Sequence, residues 1–331
     1  MVFPLGMPLN ILRFRPSVEG PDAGRRVDMC NQTGNRKDHL QALKKGKRQR
    51  RACCCTPRLV DYEQAPLFIK HNSHIWTSYR VGYCVWHAFL SLFQLHNETL
   101  NVWTHLLGSF LFAYLGYDAV TTNLADEAWL EKFYFLSHIW TISAAFFVSA
   151  CYHLFGCLSA KAQRCLCSLD YSGITLIIST GYHFPARMLC TCAPLIAHAY
   201  VAVMTLCGAL CMLMNWHPAL LRPRFHFLRT ATFVLLAGLG VFVFPLSMYL
   251  NGLDWTMPLL HQAVFTVTPF LSGVTVYVTF FPEKWFPGKF DLSTHSHVIF
   301  HCLIVLGCYA HYSNFLLMHH MVRTNDPCGA A

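Results

Sequence analysis

The chain has 331 residues, of which 54% are hydrophobic and only 12% charged. That charged share is about half the roughly 25% of soluble domains, which excludes an ordinary soluble fold and indicates a polytopic membrane protein. The whole net charge of +9 lies in residues 1–58, with 13 Lys/Arg against 4 Asp/Glu; the rest balances at 12 against 12. Such a tail suits anionic lipid headgroups or an acidic partner and gives no ground for nucleic-acid binding.

Residues 1–58 read as a basic, mostly disordered cytoplasmic tail. Pro4 and Pro8 break the apolar opening, Arg13 and Arg15 follow it, and no small-residue cleavage site ends it. No signal peptide is expected, and Val2 excludes N-myristoylation. The run Lys44-Lys45-Gly46-Lys47-Arg48-Gln49-Arg50-Arg51 is followed by Cys53, Cys54 and Cys55. It reads either as a plain positive flank or as a two-signal anchor with palmitoylation beside the basic patch. Residues 59–96 are too interrupted to span a bilayer. They are expected to form a helical segment at the cytoplasmic interface.

Seven apolar segments follow, at about 101–121, 133–155, 169–189, 193–216, 229–250, 259–281 and 295–318. The third is the most polar, with Asp170 at its start and Pro185 near its end. The expected architecture is an all-α integral membrane protein: a seven-helix domain over 97–318 and a short outer tail over 319–331. The inside loops would hold Lys161, Arg164, Arg222, Arg224, Arg229, Lys284 and Lys289. The outside would hold only Lys132, Arg187 and Arg323. The bias places the N-terminus in the cytoplasm and the C-terminus on the extracellular or lumenal face, of either the plasma membrane or a Golgi-type endomembrane. That is the reverse of the usual G-protein-coupled receptor. The sixteen cysteines are scattered and no CxxC pair stands near a second, which argues against a cysteine zinc site. Cys190, Cys192 and Cys328 are disulfide candidates if the outer face is oxidising.

With this topology, depth is legible. Segment seven enters from the cytoplasm, so His297 and His301 lie near that face; four residues apart, they share one side of a helix. Segment two leaves at Ser149-Ala150-Cys151-Tyr152-His153, and segment three re-enters at Asp170. His153, Asp170, His297 and His301 therefore share one slab. Three histidines leave zinc a fourth position for water, the arrangement of catalytic sites. A carboxylate beside that water accepts its proton or orients it. Ser149, one turn before His153, either polarises a substrate carbonyl or simply hydrogen-bonds the site. His138 and His311 lie roughly 22 Å and 15 Å along their helices from this slab. His198 and His261 enter from the outer face. These four read as packing groups. His105 is the one further histidine on the cytoplasmic side. The bland alternative for Asp170 is a solvated N-cap of segment three.

These stretches resemble the progestin and adipoQ receptor family, related to the haemolysin III proteins. The resemblance rests on Asn97-Glu98-Thr99-Leu100-Asn101-Val102-Trp103-Thr104-His105-Leu106-Leu107-Gly108, on Ser149 to His153, and on Leu169-Asp170-Tyr171-Ser172-Gly173-Ile174. It extends to Pro282-Glu283-Lys284-Trp285-Phe286-Pro287-Gly288-Lys289-Phe290-Asp291 and to Ser296 through His301. The last two look most like the adiponectin-receptor branch. The resemblance implies seven helices and zinc on His153, His297 and His301, with Asp170 contacting the water on the metal. It also implies a lipid cavity holding ceramide or fatty acid and ceramidase-like amide hydrolysis; an extracellular protein or steroid agonist is a candidate partner, but its recognition by the outer face does not transfer from the family. The chain departs from the family at Ser78-Tyr79-Arg80, where Gly-Tyr-Arg is usual. The formal sequon Asn97-Glu98-Thr99 falls on the cytoplasmic side and reads as unmodified and structural. Two readings stay open: a zinc-dependent lipid amidase using Asp170 and Ser149, or a receptor or scaffold with structural zinc and no significant turnover.

Overall fold

The computed structural model describes residues 56–217, 220 and 225–324. The basic run, Cys53 to Cys55, Arg222, Arg224 and Cys328 lie outside the described residues.

The segment before the long helices is not helical throughout. Strand β1 (Arg58–Val60) pairs antiparallel with β2 (Tyr79–Val81), in the register Leu59 opposite Arg80. Val60, Ala65, Ile75 and Tyr79 close a small apolar core under this ribbon. A one-and-a-half-turn helix, α1 (Val85–Leu90), follows. The expectation of a helical segment missed the ribbon because three-residue strands leave almost no alternation to read.

The helical body comprises α2 (Thr99–Thr121), α3 (Trp129–Phe155), α4 (Ala160–Thr180), the short α5 (His183–Leu189) and α6 (Pro194–Trp216). It continues through α7 (His226–Val241), α8 (Val243–Asn251), α9 (Leu253–Thr279) and α10 (Ser296–Thr324). Among the described residues, five helices are long and apolar enough to cross a membrane: α3, α6, α7 with α8, α9 and α10. Leu, Phe, Val and Trp side chains lie exposed along them, as a hydrocarbon solvent requires. The protein is a multi-pass integral membrane protein. Helices α2 and α4, with 23 and 21 residues, are also of membrane length but more polar. Asn101, Thr104 and His105 lower the hydropathy of α2; Lys161, Arg164 and Asp170 lower that of α4.

Helix α10 packs against α9 and α2, while α3 lies between α2 and α4. Phe112, Phe135, Ile139, Ile142, Phe146, Phe184 and Phe315 are buried in the shared core. At the α3–α4 crossing a Cβ on Gly173 would stand 2.9 Å from Ala145 Cβ. Only glycine permits that approach.

One sequence boundary is corrected with functional consequence. The third segment, expected over 169–189, is two helices broken at Gly181 and Tyr182, and the first begins at Ala160. Its N-cap is Ser159, whose hydroxyl accepts from the Ala162 amide at 3.1 Å. Asp170 is therefore interior to α4, and the N-cap reading of this residue falls. The fifth segment is likewise divided, at Phe242 between α7 and α8.

Candidate metal centre

Helix α3 delivers His153 from its last turn, and α10 delivers His297 and His301 from its first two. Ligand atoms of the three imidazoles all lie within 4.8 Å of one another. His153 Nε2 is 3.3 Å from His297 Nε2. Two nitrogens on one tetrahedral zinc at 2.0–2.1 Å are separated by roughly 3.3 Å, so this pair already has a tetrahedral edge. The bound of 4.8 Å for the full set is looser than such an edge. His153 and His301 are buried, and His297 is half-buried.

Two of the three tautomers follow from their neighbours. His153 Nδ1–H donates to Glu98 Oε2 at 2.7 Å. His301 Nδ1–H donates to the Asn101 carbonyl at 3.2 Å and lies 3.3 Å from Thr104 Oγ1. The Thr104 hydroxyl already donates to the Leu100 carbonyl at 2.7 Å, so it accepts from the imidazole. Both rings therefore carry their proton on Nδ1 and a lone pair on Nε2, the state a metal ligand needs. The donor set fits zinc.

Asp170 is half-buried on α4, with the Ser149 side chain of α3 and the His153 imidazole near enough to act on its carboxyl. Ser149 is one turn before His153 and 3% exposed. The residues read from the sequence thus come together from three helices. Among the described residues, no other histidine joins the set. His138 Nδ1 meets Thr180 Oγ1 at 3.0 Å, and His311 Nε2–H donates to the Gly181 carbonyl at 3.0 Å. His105 stacks flat on His301 with ring centroids 3.6 Å apart.

Several supporting residues escaped the sequence reading. Arg80 Nη2 donates to the His153 carbonyl at 2.6 Å. Glu283 Oε2 accepts from the Ser296 amide at 2.7 Å, capping the first turn of α10, and its Oε1 accepts from Asn72 Nδ2 at 2.9 Å. Asp291 Oδ2 accepts from the Trp76 and Thr77 amides at 3.1 and 2.9 Å. The two acids of the Pro282–Asp291 motif thus fasten the preceding segment to the start of the histidine helix. The signal that would have found Glu98 was its spacing from Asn101 and Thr104: three residues each, one helix face.

A polar cluster of three imidazoles at one end of an apolar helical body defines a helical, multi-pass membrane protein with a candidate metal centre. The chain belongs to the Haemolysin-III related family, whose pattern matches residues 93–312, and within it to the progestin and adipoQ receptor proteins. It is 31% identical to progestin and adipoQ receptor family member 3 of Mus musculus, over 82% of this chain and 89% of that protein. It is 28% identical to heptahelical transmembrane protein 3 of Arabidopsis thaliana, over 82% of this chain and 90% of that one. Heptahelical transmembrane protein ADIPOR1 of Oryza sativa subsp. japonica is 29% identical, over 82% and 86%.

Proposed function

We propose that His153, His297 and His301 hold one zinc ion near the cytoplasmic face. On this reading the protein is a seven-helix receptor of the adiponectin-receptor type with ceramidase-like lipid amide hydrolysis. The observation that carries the reading is the convergence of three imidazoles, two with Nε2 left free, beside the Asp170–Ser149 pair. Bound there, zinc would supply a Lewis acid and bring the pKa of a water to about 7. Asp170 is the group for taking up a proton, with the Ser149 side chain of α3 beside it. A site that only stapled helices would need ligands and no such pair. The lipid would be a ceramide or fatty acid reached from the surrounding bilayer.

Seven spans with the N-terminus in the cytoplasm complete the reading. They leave residues 1–58 as a basic tail toward anionic headgroups, 59–96 as an interfacial cap, and 319–331 on the outer face. Cys192, in a loop assigned outside by the charge bias, is disulfide-bonded, which suits an oxidising face. Cys190 is a buried free thiol. The deciding experiment is hydrolysis of ceramides by purified protein in liposomes, with and without a zinc chelator, alongside metal analysis. Zinc at one per chain, absent in the His297→Ala/His301→Ala double variant, with chelator-sensitive turnover, is expected. Full zinc in the double variant refutes the site.

A second reading is favoured by the mouse relative, which is named as a receptor. Under it zinc is structural, an extracellular protein or steroid agonist acts on the outer face, and wild type turns over no ceramide in the same assay.

A further inference from the structure

Glu98 occupies the N-cap position of α2, yet its side chain makes no capping hydrogen bond. Its carboxylate leaves its own helix end and crosses to α3. Oε2 accepts from His153 Nδ1 at 2.7 Å and from Asn101 Nδ2 at 2.6 Å. The backbone of the same turn serves the third helix, because the Asn101 carbonyl accepts from His301 Nδ1 at 3.2 Å. Thus one turn of α2, residues 98 to 101, contacts the outward nitrogens of two of the three histidines.

The electrostatics raise a question that packing does not answer. Glu98 is mostly covered, with 27% of its side chain exposed, and its one ion-pair partner among the described residues is His153. A carboxylate with no Arg or Lys beside it, against a neutral imidazole, is costly to bury. A divalent ion on the far side of that imidazole removes the difficulty. Neutral imidazoles leave such an ion at +2, and a carboxylate behind one of them lowers the local charge while strengthening the ring as a ligand.

We infer that Glu98 is a positioning residue for the metal centre: it fixes the Nδ1–H tautomer and the ring orientation of His153, and so sets the affinity for the metal. The inference rests on the zinc reading above. It also accords with the burial of Asn97 in the formal sequon Asn97-Glu98-Thr99: the residue is 7% exposed and its backbone carbonyl accepts from His295 Nε2 at 3.1 Å. The turn is committed to the interior of the site and leaves no room for a glycan.

The test compares wild type, Glu98→Ala and Glu98→Gln in detergent by Zn2+ competition against a chromophoric chelator. The thermal midpoint of the chelator-stripped protein is measured alongside. Removing an outer partner of a ligating histidine lowers metal affinity roughly 10–100-fold, and that loss is expected for Glu98→Ala. Glu98→Gln keeps an oxygen for both donors and loses only the charge, so its affinity should fall less than about tenfold, with the stripped midpoint unchanged. A merely structural Glu98 would lower the stripped midpoint in both variants and leave the zinc affinity of the folded fraction at the wild-type value; that result overturns the inference. Wild-type affinity in both variants overturns it too, while the His297→Ala/His301→Ala control still reports on zinc. A wild type that takes up no zinc removes both readings.

Discussion

Arg80 and His153 are joined through the backbone: the guanidinium Nη2 donates to the His153 carbonyl at 2.6 Å, while His153 Nε2 lies 3.3 Å from His297 Nε2 in the candidate metal centre. Arg80 Nη1 also donates to the Leu154 carbonyl at 3.0 Å and to Ser91 Oγ at 2.7 Å, and the residue is 2% exposed. A cation at the C-terminal carbonyls of α3 satisfies acceptors that the helix leaves unpaired and opposes the helix dipole. A lysine has no fork with which to reach three acceptors. Arg80→Lys is expected to destabilise the protein by about 2–3 kcal/mol, the scale of hydrogen bonds from a charged donor. Guanidinium or thermal melts read this directly; an unchanged midpoint would mean that water replaces the clamp.

Asp170 separates hydrolysis from a structural role for zinc. Its place inside α4 means that Asp170→Asn disturbs no cap. Zinc content and thermal midpoint should stay near wild type. Ceramide turnover should fall by roughly 10²–10⁴, the usual worth of general acid–base help. Equal, chelator-sensitive rates for the two proteins would rule out this role and leave the metal site standing.

His96 makes a pH prediction outside the helical body. It is 1% exposed; its Nε2–H donates to the Ser91 carbonyl at 3.2 Å, and its Nδ1 accepts the Glu98 amide at 3.1 Å. Burial first, and then the charge of Arg80, push its pKa from 6.5 down to about 3. The folded state keeps it neutral where the unfolded chain takes a proton. Its contribution is therefore intact above about pH 6.5 and is lost as pH falls toward about 3. From about pH 7 to about pH 5 the loss is about 2 kcal/mol. His96→Asn should flatten that part of the pH–stability profile; an identical acid slope in the variant would refute the assignment.

Ser78 stands where the family's usual residue is glycine, and its φ is +67°. A serine there pays the left-handed penalty of about 1–2 kcal/mol, offset in part by the extra chain entropy that glycine loses on folding. Ser78→Gly should raise stability by about 0.5–1 kcal/mol net, seen as a higher thermal midpoint with the zinc affinity unaltered. A lower midpoint would show that the Ser78 side chain makes contacts worth more than the strain.

The sequence by itself determined the class and half of the site. Low charge and seven apolar runs required a membrane protein, because hydrocarbon admits backbone only as helix or closed barrel. The four-residue spacing of His297 and His301 put them on one face. Reading depth along neighbouring segments brought His153 and Asp170 to the same level, since antiparallel helices of known rise convert residue number into height. Height carries no azimuth, however. That His153 Nε2 faces His297 Nε2, and that His105 stacks on His301 without joining the set, depend on how α2, α3 and α10 are rotated about their axes. That rotation is settled by contacts such as Gly173 on Ala145, which no periodicity reports. The same holds for Glu98 and Arg80. Arg80 lies in strand β2 and Glu98 at the N-cap of α2, neither position marked by a readable periodicity, and each acts on His153, 55 or 73 residues further along the chain. Only tertiary packing decides such pairs, because the hydrogen bonds that define them span elements whose separation in sequence says nothing of their distance in space.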